Sequence, residues 1–153
     1  MIKLKTINNN WNILCEKSVI DADSNNLSLN NIVEEIQIEI PKDKLSAAEE
    51  VKRVLFKCEL ITHWSREKET SKDIPFGLKI EELGPENNTL NSMEHEAVFP
   101  KGKRRLRHRI KMDGFLVKEP GKYAFKISAR EGKSDTYSLI GEVPIDVRFK
   151  VGK

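Results

Sequence analysis

Cysteine and aromatic side chains are scarce in this chain, and long apolar runs are missing. Cys15 and Cys58 are the only two cysteines among 153 residues, and each sits in an alternating apolar run. Buried, reduced thiols are therefore expected rather than a disulfide or a metal site. Aromatic residues make up 7% of the chain, most at positions that alternation turns inward, so a platform of exposed rings for stacking single-stranded bases is not expected. Trp11 and Trp64 each fall in phase with the apolar side chains around them, which assigns both to the core. No stretch approaches the roughly 18 apolar residues of a membrane span, and the opening MIKLKTINNNW lacks the apolar segment of a secretion signal. A cytoplasmic protein without membrane association is the expectation.

Catalytic motifs are missing as well. There is no glycine-rich phosphate loop, no G-x-S-x-G turn and no dinucleotide fingerprint. The segment His95-Glu96-Ala97-Val98-Phe99 fails as a metalloprotease motif because Phe99 stands where the second histidine ligand belongs. His63, His95 and His108 are too scattered to define a metal site by spacing. Glu94 and Glu96 share a face, but two exposed carboxylates on a strand serve first to keep an edge soluble. We expect no enzyme, no catalytic residue, no metal and no cofactor.

What the sequence does contain is alternation with period two, which puts every second side chain on one face of an extended strand. From Tyr137 to Val151, Leu139, Gly141, Val143, Ile145, Val147 and Phe149 alternate with a mostly polar set. Pro144 in that run has no backbone N–H to donate, so the strand must lie at a sheet edge there or change partners near it. The same period runs through 36–40, 54–64, 76–80, 106–112 and 123–129, with a first strand near Trp11, Ile13, Cys15 and Val19. Turn chemistry separates the runs at 21–26, 65–73, 84–92, Asp113-Gly114 and 130–135. Only 44–52 suits a helix, and a short one. These features predict one all-β domain over 1–153, an antiparallel two-sheet β-sandwich of about seven or eight strands.

Two segments carry a family resemblance. EPGKYAFKI, 119–127, is similar to the strand of immunoglobulin-like and fibronectin-type sandwiches that follows a Pro-Gly corner, with Gly121 at the corner and Tyr123 turned inward. It departs from an antibody domain at Phe125, where the disulfide cysteine would stand. IDADSNNLSLNNIVEEI, 20–36, resembles the N-terminal hairpin of small uncharacterised bacterial proteins with an acidic, Asn-rich turn before SLxNIxEEI. The resemblance implies an immunoglobulin-like sandwich and brings no activity or site residues.

The strongest local feature is KGKRRLRHRIK, 101–111, with seven lysines and arginines and no acid. Without those seven the chain has 20 basic against 24 acidic residues, so the basicity is local. Alternation sends Leu106, His108, Ile110 and Met112 to one face and Arg105, Arg107, Arg109 and Lys111 to the other. Same-face neighbours on a strand lie about 6.6 to 6.8 Å apart. The preferred reading places this cationic ladder beside the acidic face of Glu35, Gln37 and Glu39, in cross-strand pairs of roughly 0.2 to 1 kcal/mol each. The protein is then a non-enzymatic interaction module that binds an unknown protein partner through a sheet edge or loops. The alternative is nucleic-acid or polyanion binding through Lys103, Arg104, Arg105, Arg107, Arg109 and Lys111.

Overall fold

The computed structural model describes residues 2–42, 51–68, 72–133 and 136–152. Ten strands account for most of them: β1 Ile2–Lys3, β2 Asn8–Ile20, β3 Leu27–Ile32, β4 Glu35–Ile40, β5 Lys52–Ser65, β6 Ile74–Leu83, β7 Thr89–Phe99, β8 Arg105–Val117, β9 Gly121–Glu131 and β10 Ser138–Val151. The chain is all-β, with more strands than the sequence suggested. Of the helix expected near 44–52, residues 44–50 lie outside the described residues, and Lys52 already opens β5.

The strands form two sheets. The first runs β1-β2-β5-β8, with β3 also paired to β2; the second runs β4-β10-β9-β6-β7. Cys15 is opposite both Ile32 and Glu59, so β3 flanks β2 on the side away from β5. Every pairing is antiparallel except β4 with β10. Between the sheets lie Ile7, Leu14, Trp64, Phe76, Ile80, Phe125, Ile127 and Val147. At roughly 25 cal/mol per Å² of apolar surface removed from water, this layer is the main driving force for folding.

The chain crosses between the sheets in one step. Val33 N–H donates to Leu14 O in the first sheet at 2.8 Å, while Glu34 O accepts from Asp146 N–H in the second at 2.9 Å. β4 takes up β10 from Asp146 onward. Pro144 is paired only on its β9 side, opposite Ala124, so its missing N–H falls just before the second partner arrives.

Irregularities in the ladders shift the inward face from that of simple alternation. A bulge between Leu139 and Gly141 puts Ile140 inside and leaves Leu139 53% exposed. Asp113-Gly114 is not a turn but the interior of β8. A Cβ on Gly114 would stand 2.5 Å from the Val54 carbonyl oxygen, so glycine lets β5 and β8 close on each other at the β5 irregularity. Glu82 ties the layers together: its carboxylate on β6 accepts from Leu116 N–H on β8 at 2.7 Å. Burial pushes its pKa up to about 7 against the opposing pull of that bond and of Arg53.

Candidate polyanion-binding face

β8 presents the two faces that alternation predicts. Ile110 and Met112 are buried and Leu106 packs against the core, whereas Arg105, Arg109 and Lys111 are exposed and Arg107 is half-buried. The acidic neighbour expected for the outer face is elsewhere. Glu35, Gln37 and Glu39 lie on β4, at the edge of the other sheet, in register with Asp146, Arg148 and Lys150 of β10. Glu35 pairs there with Arg148 Nε at 3.4 Å. The reason is the crossing at Val33–Glu34, which delivers the acidic segment to the second sheet.

The neighbours of β8 come from β5 and, one strand further, from β2. Register sets three rows across the outer face: Arg107, His63 and Trp11; Arg109, Ile61 and Ile13; Lys111, Glu59 and Cys15. Trp11 is therefore on the outer face, contrary to the core position expected for it, while Trp64 is fully buried as expected. The bulge between Asn9 and Trp11 changes the phase of β2, so that Leu14 rather than Ile13 or Cys15 reaches the space between the sheets.

The two ends of the ladder have different surroundings. At the Lys111 end the β2–β3 hairpin folds over the outer face. Ser18 N–H donates to Glu59 Oε2 at 2.8 Å, the Ser18 hydroxyl donates to the same oxygen, and Arg109 Nη1 donates to Ser18 Oγ at 3.1 Å. Cys15 and Ile61 are fully buried beneath this cover, although neither belongs to the layer between the sheets. Both cysteines are free thiols. Burial raises the pKa of Cys15, with Glu59 adding to it, and pushes Cys58 up to about 12, with smaller contributions from Cys15, Glu59 and Asp113. Neither thiol is a poised nucleophile.

At the other end the face opens into a cavity of about 450 Å³, lined among others by Trp11, His63, Lys103, Arg104, Arg105 and Arg107. That volume falls within the roughly 300 to 1,000 Å³ of small-ligand sites. The Trp11 and His63 rings stack at 4.9 Å between centroids and 17° between planes. The Asn10 side-chain amide donates to His63 Nδ1 at 2.9 Å, which puts the ring proton of the neutral imidazole on Nε2. Burial lowers the His63 pKa first, and the charges of Arg105 and Arg107 lower it further.

Two turns wall this cavity. In the β2–β3 turn, Asp21 Oδ1 accepts from Asp23 N–H at 2.9 Å and Ser24 N–H at 2.7 Å, and Asn25 takes φ 59°. The bonds from Ser24, then that from Asp23, hold the Asp21 carboxyl below its usual range. Asn25 Oδ1 in turn accepts from Arg107 Nη2 at 3.0 Å. Opposite it, the turn before β8 carries Gly102 at φ 72° and is braced by the buried Arg66. Arg66 Nε donates to Lys103 O at 2.6 Å and Nη2 to Pro100 O at 2.8 Å, with the guanidinium 4.6 Å from the Phe99 ring centroid.

The other candidates resolve differently. His95 and His108 come together, ring centroids 6.4 Å apart, each with Nε2 buried and without a hydrogen-bond partner. Burial and then His95 lower the His108 pKa. His63 stands apart, on the outer face. Glu94 and Glu96 are on the edge strand β7, where Glu96 accepts from Arg130. Among the described residues no group of three or more His, Cys, Asp or Glu side chains is placed to hold a metal ion, and no helix is long and apolar enough to cross a membrane. No protein-family model matches the chain, and no curated protein matches it.

Proposed function

We propose that the protein is a non-enzymatic binding module and that the open end of the basic strand binds a polyanion, nucleic acid foremost. One observation carries this reading: Lys103, Arg104, Arg105 and Arg107 converge on one cavity whose lining, among the described residues, includes no acidic side chain. Phosphate oxygens are the ligand chemistry that such a cluster of lysine and arginine donors fits best.

The scaffold proposed for this site is an immunoglobulin-like sandwich, akin to small uncharacterised bacterial β-sandwich proteins. The facing sets β2-β5-β8 and β4-β10-β9-β6-β7 support it. So does Tyr123 near the start of β9, whose hydroxyl donates to Glu119 O at 2.6 Å and accepts from Lys118 and Glu119 N–H, as in a tyrosine corner. A cytoplasmic setting is proposed on the two free, buried thiols.

A protein partner that adds a strand is the second reading. It is favoured by the edge strand β3 and its hairpin, where Ile32 is 56% and Val19 45% exposed.

Titration against heparin, duplex DNA and single-stranded DNA at several salt concentrations tests the first reading. Contacts from Lys103, Arg105 and Arg107 to duplex phosphates predict a log–log salt slope of about −2.7. If none of the three polyanions binds at low salt, the polyanion reading is wrong and strand addition at β3 takes its place.

A further inference from the structure

The cations of this face are joined to a pair of aromatic rings, and the pairing is dictated by register. Trp11, His63 and Arg107 occupy one row across β2, β5 and β8, so the indole, the imidazole and the guanidinium stand side by side on the outer face. All three line the same cavity as Lys103 and Arg105. A plain phosphate or sulfate site needs donors but no rings. A half-buried tryptophan stacked on a histidine, beside arginines, supplies a flat apolar surface next to an anion site. Unpaired nucleotides present that combination, a π-face and a phosphate a few ångströms apart.

Resting on the polyanion reading above, we propose that this cavity receives one unpaired nucleotide of a single-stranded nucleic acid, its base against the Trp11–His63 pair and its phosphate among Lys103, Arg105 and Arg107. The site is built for rigidity. Asn10 fixes the His63 ring, Asn25 fixes the Arg107 guanidinium, and Arg66 fixes the backbone carbonyls of Pro100 and Lys103. Each of these groups is held by a bond within the protein itself, so little ordering remains to be done on binding. The two turns wall a cavity of about 450 Å³, and a base still stacked inside a duplex has no free face to lay against the Trp11–His63 pair.

The test compares heparin, a short oligothymidylate, the duplex that strand forms with oligoadenylate, and thymidine monophosphate at low salt. The wild-type protein is measured beside Trp11→Leu, Trp11→Phe and the double variant Arg105→Glu/Arg107→Glu. The single strand is expected to bind more tightly than its duplex and to quench tryptophan emission, whereas heparin binds without quenching. Trp11→Leu should weaken the single strand about tenfold, within the range for loss of one stacked base, with heparin affinity changed less than about twofold. Trp11→Phe keeps a ring and should retain most of the affinity. The double variant should weaken heparin and strand together.

Heparin binding with no strand-specific quenching, or a Trp11→Leu effect equal on heparin and strand, would overturn the nucleotide pocket and leave the polyanion reading standing. Thymidine monophosphate binding as tightly as the strand would reassign the cavity to a free nucleotide. Should Trp11→Leu unfold, the quenching contrast in the unaltered protein decides the matter alone.

Discussion

The two ends of the β8 ladder carry the same kind of side chain at the same spacing, yet one is closed and the other open. At the closed end Arg109 donates to Ser18, whose own N–H and hydroxyl are held by Glu59, and a hairpin covers the row beneath. At the open end Arg105 and Arg107 face a cavity with aromatic rings and, among the described residues, no acid in its lining. The difference lies in the neighbouring strands: β5 offers Glu59 opposite Lys111 but His63 opposite Arg107. Charge on a strand face thus becomes a structural contact or a recognition surface according to what register places beside it.

The largest effect expected from this contrast is on binding. Arg105→Glu/Arg107→Glu should lower heparin affinity on the order of 100-fold at low salt, since two phosphate-type contacts are lost and reversed. Arg109→Glu/Lys111→Glu should lower it less than about 3-fold, as read by the same titration. Equal losses would erase the distinction between the two ends.

Next in size is the closed end's own stability. Glu59→Ala leaves the buried Ser18 N–H without its acceptor, a loss of about 1 to 3 kcal/mol that urea denaturation would register. Ser18→Ala removes the acceptor of Arg109 itself, so the salt slope should steepen by about 0.9 in that variant. A slope unchanged by Ser18→Ala would mean that Arg109 is not held back by Ser18.

The smallest effect is on pH. His63 is depressed below its ordinary 6.5 in the folded protein, so the unfolded chain takes up the proton first as pH falls. Its contribution to stability is therefore present above pH 6.5 and is lost as pH falls toward the folded value. A bound anion offsets Arg105 and Arg107 and favours the imidazolium, so polyanion affinity should rise on acidification through the same window. His63→Gln should flatten both trends. Glu82 acts in the opposite sense, because its pKa is raised from 4.5 to about 7 and its protonated form favours the fold as pH falls between those values. Stability profiles in a Glu82→Gln background separate the two groups.

Much of this arrangement was legible in the sequence. The two faces of β8 follow from Arg105 to Met112 by alternation, the acidic Asn-rich stretch at 21–26 does form the β2–β3 turn, and Pro144 marks the place where β10 gains its second partner. Register was not legible. Nothing local in Glu35, Gln37 and Glu39 says that they pair with a strand near the C-terminus instead of with β8. Bulges were equally hidden, and each reverses the inside and outside of every residue beyond it. The one between Asn9 and Trp11 sent the tryptophan outward and so concealed the aromatic half of the site. The only cue was the run Asn8-Asn9-Asn10, unusual company for a core tryptophan. Gly114, read as a turn residue, answers to a carbonyl on β5 that only the assembled sheet brings near.

The crossing at Val33–Glu34 also has a consequence in time. β4 is made early, but its only strand partner among the described residues is β10, so it waits on the order of 110 residues of further synthesis before it can pair, and contacts so distant in sequence are closed slowly. Until then the apolar side chains of Ile36 and Ile38 have no strand beside them. β10 is thus a clasp: a nascent chain short of Asp146 would hold a first sheet that can assemble and a second that lacks β10 between β4 and β9, and refolding should be limited by the step that brings β4 and β10 together.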